Sequence, residues 1–538
     1  MTFLKKHSYL ITLILIAIIG IFLRLYKIDF GRPQSFLYDE NDIYDDAIRI
    51  SQNYKFIIAN DGWEGFKPGS FVYGMFPTYF FVFSTMVFNK IISVLHTPID
   101  FDFYFVYMRI ITALFSFLTV IFTSLIYKKI FKDKKGALIT FVLTAVNWKL
   151  IAQSHYLNHD TFLTVLTTAS LYFFISYLSD PSKKSLNAII SALFLGLTAG
   201  TKITGLIVAP AIGMILIFKK DWKALITYFL FTVIGFGISN PFSIIYFNDF
   251  LVRVVKMKSI EAGIIFGDIN NNPLRYPLSF FKLLTPAVFL LSIYGLIENI
   301  KKLISNVKNK VVEINFETHS VLILTVFIYI IFYSLTPRLT ERWMVPLIPI
   351  LIIYASKALA DLLKKFNKER WVIFVLIFLT TLSALFFTFS LVRQLKEGKP
   401  RVNAYIWFSE YLNNDNGEEK SVLMYTNKGY RDPFSKIDSC DLNSYKVYES
   451  QGAQNVYPKD PFQYDYVILY STMEKNYENK YVKNKYPEYY KSWKSFTETV
   501  KEPTKFKLIR EFKTTEPDLI GIPEIYIYEN LKKVNNTQ

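Results

Sequence analysis

Long apolar runs alternate with short polar ones as far as residue 391, and beyond it the pattern changes to brief strand-like segments. The apolar runs fall near 8–25, 77–95, 105–127, 137–154, 161–178, 186–200, 202–218, 224–246, 283–300, 319–335, 342–363 and 371–391. A run of about 18 residues or more is long enough to cross a hydrocarbon core as a helix. The polar breaks are rich in Lys and Arg: Lys5/Lys6, "YKKIFKDKK" (127–135), Lys183/Lys184, "FKKDWK" (218–223), "NIKKLISNVKNK" (299–310) and "KKFNKER" (364–370). If every run crosses, these clusters fall on opposite sides of the bilayer. If 77–95 does not cross, all of them share one side, which the positive-inside rule makes the cytoplasmic one. That run starts at Pro77 and is interrupted by Asn89 and Lys90. We therefore expect it to lie along the outer surface as a juxtamembrane helix.

The expected architecture is a polytopic α-helical membrane protein of about 11 spans, with a cytoplasmic N-terminus and an extracytoplasmic C-terminus. Residues 1–391 form the membrane part, and 26–104 its first external loop. Further external loops cover about 247–282 and "SHYLNHDTF" (154–162). The tail 392–538 holds strand-like runs at 421–426, 464–472, 506–512 and 524–530 among polar and helical-looking segments, which suggests a small external α/β domain. The place of such a chain is the cell membrane.

Composition agrees. The chain of 538 residues is 52% hydrophobic, too apolar for one soluble domain. Its formal charge of +17 would suggest nucleic acid in a soluble protein. Here the cations crowd short loops and no basic face interleaves with stacking aromatics, so nucleic acid is not expected. The lone Cys440 allows no internal disulfide and no Cys-based metal motif. The first apolar run is long, with no small-x-small site after it, so an uncleaved first span is expected.

Five carboxylates fall within eight residues just beyond that span: Asp39, Glu40, Asp42, Asp45 and Asp46. If 38–50 is helical, Ile43, Ala47 and Ile50 make an apolar stripe while Asp39, Asp42 and Asp46 line another face. Carboxylates there suit a general base, a cation ligand or recognition of a polar acceptor; the plain alternative is a solvated helix face. Lys202 lies among small and apolar residues in "GLTAGTKITGLIVAP" (196–210), where an ionisable group is costly. It can hold a lipid-linked phosphate, or simply snorkel. Arg338 and Arg342, in "TPRLTERWMVPLIPI" (336–350), lie on the outer side against the charge rule. They fit an anionic ligand, or an ion pair with Glu341. Lys67, in the turn "GFKPGSFVYG" (65–74), and Arg109 are further external cations. His155 and His159 are four apart beside Asp160, which permits a metal site, but two loop histidines are the plainer reading.

External carboxylates facing external cations suit transfer from a lipid-phosphate-linked sugar. A base takes the acceptor proton, phosphate leaves without an acid, and Lys and Arg stabilise its charge. One carboxylate then suffices for a direct, inverting displacement, whereas retaining sites use a second in a defined role.

These residues carry a resemblance. "YDE" (38–40), "FKP" (66–68), "LNHD" (157–160), "GTKITG" (200–205) and "RWMVPLIP" (342–349) match in order the motifs of GT-C glycosyltransferases of the protein O-mannosyltransferase and lipid A aminoarabinose transferase superfamily. "RVNAYIWFSEYL" (401–412) resembles the start of the external domain in many relatives. The resemblance implies Asp39 as the base, with Glu40 as its partner in placing acceptor or donor. It implies Lys67, Lys202 and Arg342 as cations around the lipid phosphate, and Asp160 as a site-lining carboxylate. It also implies a polyprenyl-phosphate-linked sugar as donor, an extracytoplasmic acceptor, and no required cofactor; a divalent metal is possible and not expected. Arg338, His155 and His159 have no firm counterpart. The rival reading from another class is a transporter or flippase of an anionic lipid-linked substrate, but paired Gly/Pro-broken spans in two halves are not seen. A non-catalytic scaffold, or an enzyme moving another lipid-linked group such as phosphoethanolamine, stands further off.

Overall fold

The computed structural model describes residues 2–31, 38–69, 73–95, 101–252, 272–308, 316–336, 339–366, 368–397, 400–413, 420–425, 440–444, 458–513, 519 and 524–532. The membrane part is built from helices α1 (Thr2–Leu25), α2 (Tyr38–Asn60), α3 (Phe76–Leu95), α4 (Phe101–Phe131), α5 (Lys134–Ala145), α6 (Trp148–Ser154), α7 (His159–Ser179), α8 (Lys184–Thr201), α9 (Ala209–Phe218), α10 (Trp222–Ser239), α11 (Pro241–Ile245), α12 (Arg275–Leu283), α13 (Pro286–Lys308), α14 (Phe316–Ser334), α15 (Ile348–Lys365) and α16 (Arg370–Glu397). Each expected span coincides with a helix, or with a helix and the turn before it, except 137–154 and 224–246, which each fall on two helices. Among the described residues six helices are long and apolar enough to cross a membrane, or seven if the bent pair α5–α6 is one span. The other expected spans fall short of that length or apolarity.

The run 137–154 departs from expectation: its helix breaks after Ala145 and bends by 52° into α6. Asn147 causes the break locally, its side chain accepting from Leu150 N as the cap of α6. Carbonyls freed at such depth must find donors within the protein. Arg24 reaches the carbonyl of Ala145 (2.9 Å) and Thr388 that of Val146 (2.9 Å). On the far side, Asn147 Nδ2 and Trp148 Nε1 donate to the carbonyls of Leu283 (3.0 Å) and Lys282 (2.9 Å) at the end of α12.

The expected stripe on α2 is buried: Ile43, Ala47 and Ile50 are at most 1% exposed, packed with Phe81 of α3, Phe105 and Met108 of α4, and Phe162 of α7. Helices α2 and α3 thus share one apolar core with the first half of α4 and the start of α7. On the far face of α3, Phe83, Val87 and Ile91 are exposed at helical spacing.

After α17 (Pro400–Asn413), the tail forms five strands, β1 (Lys420–Tyr425), β2 (Cys440–Ser444), β3 (Tyr466–Tyr470), β4 (Phe506–Phe512) and β5 (Ile525–Asn530), in the order β2-β1-β3-β5-β4. β1 runs parallel to β2 and β3, while β5 is antiparallel to β3 and β4. Both faces are covered, so every residue of β3 is buried. Tyr466, Ile468 and Tyr470 face Phe408 of α17; Val467 and Leu469 face Trp493 of the helix Pro487–Val500. The four expected strands are present. The fifth, the edge strand β2, reads "CDLNS" and has no β-branched or aromatic residue to signal it. Leu519 N donates to Gln394 of α16 (3.0 Å), tying the tail back to the membrane part.

Candidate functional site

The acid cluster resolves into unlike groups. Glu40, in the first turn of α2, meets Arg109 of α4 in a two-pronged pair, Nε to Oε1 at 2.9 Å and Nη2 to Oε2 at 2.8 Å. Both side chains are 0% exposed. Oε1 also accepts from Leu157 N (2.9 Å), and Arg109 Nη1 donates to the carbonyls of Phe30 (2.6 Å) and Ile28 (3.1 Å). The pair thus ties together the chain after α1, the start of α2, the first third of α4 and the loop before α7. A buried ion pair is tolerated when its remaining groups are hydrogen-bonded, as here. Asp39 stands one residue earlier in the same turn; its side chain lies outside the described residues. Asp42 and Asp45 are exposed.

Asp46 holds a turn. Its carboxylate accepts from Gly69 N (3.0 Å) and pairs with Arg49 (2.9 Å), which in turn donates to the carbonyls of Gly65 (2.9 Å) and Lys67 (2.8 Å). The turn carries Lys67, whose ammonium sits 3.9 Å from the centre of the Tyr246 ring and 3.7 Å from Asp249. Lys67 therefore faces the segment after α11.

Asp160, Lys202 and Arg342 come together. Lys202 closes α8 in extended conformation before the 3-10 turn Ile203–Val208, and its ammonium lies 3.0 Å from Asp160 Oδ1 at the start of α7. Arg342 Nε lies 3.6 Å from Asp160 Oδ2. Both members of the Asp160–Lys202 pair are buried, whereas the Arg342 side chain is 27% exposed and opens the group to one side. The Lys202 ammonium also faces the rings of Tyr73 (5.2 Å) and Trp343 (6.0 Å), and Tyr73 packs on His159 at 4.6 Å.

Small residues allow this assembly. Gly74 N donates to the Thr201 carbonyl (3.1 Å), and a Cβ at Gly74 would run into the carbonyl of Gly200. Asn240 bridges the same place, accepting from Met75 N (2.8 Å) and donating to the Gly200 carbonyl (3.0 Å). The segment 73–75 is thereby docked on the end of α8.

Two residues that the sequence reading passed over complete the surroundings. Lys149 of α6 and Lys282 of α12 present their ammonium groups to one indole, that of Trp148, at 5.4 and 6.0 Å. Lys149 is within electrostatic reach of Asp160, Glu341, Arg342 and Lys282. Lys149 lies inside an apolar run, and its signal was the polar triplet Asn147–Trp148–Lys149.

His155 does not line the group: its Nδ1 lies 2.8 Å from the Ile151 carbonyl and Nε2 2.9 Å from that of Tyr26. Burial pushes its pKa below the usual value against those two carbonyls, and Arg109 and Arg24 push the same way as burial. Among the described residues no three His, Cys, Asp or Glu side chains are grouped to hold a metal ion. Arg338 lies outside the described residues.

Residues 94–245 match the model of the dolichyl-phosphate-mannose-protein mannosyltransferase family. No curated protein matches the chain by sequence. Among solved structures, the chain is similar to the archaeal oligosaccharyltransferase AglB from Archaeoglobus fulgidus, in complex with an inhibitory peptide and a dolichol-phosphate. The identity is 13%, the TM-score 0.55, with 88% of this chain and 71% of that one covered. It is also similar to ArnT from Cupriavidus metallidurans bound to undecaprenyl phosphate, at 13% identity and TM-score 0.52, covering 81% of this chain and 86% of that one. These likenesses identify the architecture: over most of its length the chain has the GT-C fold that AglB and ArnT share, and within it residues 94–245 resemble the dolichyl-phosphate-mannose-protein mannosyltransferases.

Proposed function

We propose that the chain is an inverting glycosyltransferase that moves a sugar from a polyprenyl-phosphate donor to an extracytoplasmic acceptor. The observation that carries this reading is the cluster of Asp160, Lys202 and Arg342, buried on one side and open at Arg342. The start of α7, the end of α8 and the turn Glu341–Leu347 meet there, each bringing a charge into apolar surroundings, which is costly unless used. Support comes from the fold, and from AglB and ArnT, whose structures hold a dolichol-phosphate and undecaprenyl phosphate.

The roles follow from chemistry. Asp39 takes the proton from the acceptor O–H as the acceptor oxygen bonds to the anomeric carbon. The bond from that carbon to the phosphate oxygen breaks, its electron pair leaves with the lipid phosphate, and the configuration inverts. Lys202 and Arg342 stabilise the leaving phosphate's charge. Asp160 holds both cations in place. Glu40 and Arg109, sealed and mutually saturated, act as positioning residues that fix the first turn of α2, and with it the backbone of Asp39. Lys67 and Arg338 belong to the outer loops that meet donor or acceptor. A phosphate leaving group backed by cations requires no metal, so none is assigned. The topology proposed with this chemistry is eleven spans in the cell membrane, N-terminus inside and the external domain 392–538 outside.

The test is mass spectrometry of membranes and glycans from a strain lacking the protein, complemented with wild type or Asp39→Asn. The reading expects a missing glycoform that wild type restores and the variant does not. An unchanged glycan and lipid profile in the deletion strain, with altered lipid transport, would favour the flippase.

A further inference from the structure

The broken span α5–α6 has a cost. A continuous helix over 137–154 would satisfy its own carbonyls; the break instead draws on Arg24 of α1 and Thr388 of α16 for the carbonyls of Ala145 and Val146, while Asn147 and Trp148 donate to the end of α12. What the break achieves is to bring the start of α6 beside the end of α12 and the turn Glu341–Leu347. Lys149 stands there, half-buried, its ammonium against the Trp148 ring. Among the described residues no carboxylate lies within ion-pair distance of that ammonium and no acceptor within hydrogen-bonding distance. Of the two carboxylates that reach it electrostatically, Asp160 holds Lys202 and Arg342, and Glu341 acts on it only beyond ion-pair distance. A lysine kept this deep without an anion is expensive, and such residues mark ligand paths. The indole partly compensates it while leaving its N–H donors unspent.

We infer that Lys149 is a substrate-binding residue that donates to an oxygen of the lipid phosphate, with the Trp148 ring as its platform. The class of ligand is a phosphate ester on an isoprenoid chain. Arg342 and Lys202 are ion-paired with Asp160, whereas Lys149 has no carboxylate in direct contact among the described residues and keeps its N–H donors for a ligand. Its contribution therefore grows as the phosphate passes from singly charged diester to doubly charged monoester on leaving. This rests on the glycosyltransferase reading and adds a residue that neither the motifs nor the resemblance assigns.

The test uses the full chain in nanodiscs and two probes, farnesyl phosphate and its methyl diester, titrated into wild type, Lys149→Gln and Lys149→Arg at low salt. Wild type binds the monoester more tightly than the diester. Lys149→Gln weakens the monoester on the order of tenfold, about one charge-assisted hydrogen bond, and narrows the gap between the probes. Lys149→Arg recovers most of the loss, and the melting temperatures of all three proteins stay together. Equal monoester affinity in wild type and Lys149→Gln would overturn the assignment and leave the glycosyltransferase reading standing. Binding of neither probe by folded wild type would overturn both.

Discussion

Glu40 and Arg109 are 69 residues apart in the chain and meet through two near-parallel hydrogen bonds with no solvent at either side chain. Four separate segments converge on them, so the pair fixes the start of α2, with the acid cluster it bears, to α4 and the loop before α7.

Removing one partner strands the other charge in a buried site, which costs about 3–5 kcal/mol. Arg109→Ala is therefore expected to lower the melting temperature sharply in detergent. Arg109→Lys recovers little, because an ammonium cannot reproduce the fork that grips both carboxylate oxygens. A melting temperature for Arg109→Ala matching wild type would show that the clamp is dispensable.

Gly74→Ala tests the docking of 73–75 on α8. The added methyl meets the Gly200 carbonyl, and the Gly74-to-Thr201 hydrogen bond cannot survive the shift it forces. Overpacking of this kind costs about 1–3 kcal/mol. It also moves Tyr73 off Lys202 and His159, so we expect a loss of transfer on the order of tenfold or more at modest loss of stability. Full transfer by the variant would mean that the segment does not shape the site.

Burial lowers the pKa of His155, with Arg109 and Arg24 acting the same way. The unfolded chain, with its imidazole near about 6.5, therefore binds the proton more readily than the folded one. Stability from this group is full above about pH 6.5 and falls as pH drops below it. Melting wild type and His155→Asn at pH 7.5 and 5.5 (about one unit either side of that value) checks the sign. The wild type is expected to lose more on acidification than the variant. An equal loss would assign the pH dependence to other groups.

Much of the fold was legible because periodicity reports burial. Ile43, Ala47 and Ile50 were spaced for one face of α2, and that face is core. Asp160, Lys202 and Arg342 could be named singly as charges in unfavourable places, and the structure joins them. Other features were hidden by the same patterns. The break at Asn147 is lost in an apolar run, since an average over 18 residues does not register one cap. The five acids looked alike because the partner that sets Glu40 apart lies on another helix, and no local pattern reports a contact across 69 residues. β2 is an edge strand whose pairing with β1 supplies what its composition lacks.

The central claim is that one carboxylate, Asp39, serves as the base for sugar transfer from a lipid phosphate. The most direct measurement is transfer in vitro by the purified full chain in nanodiscs, wild type against Asp39→Asn, with donor binding and melting temperature recorded on the same samples. Asp39→Asn is expected to fold, to bind donor as wild type does, and to lose transfer by about 100-fold or more, as removal of a general base does. Transfer by Asp39→Asn at the wild-type rate would contradict it.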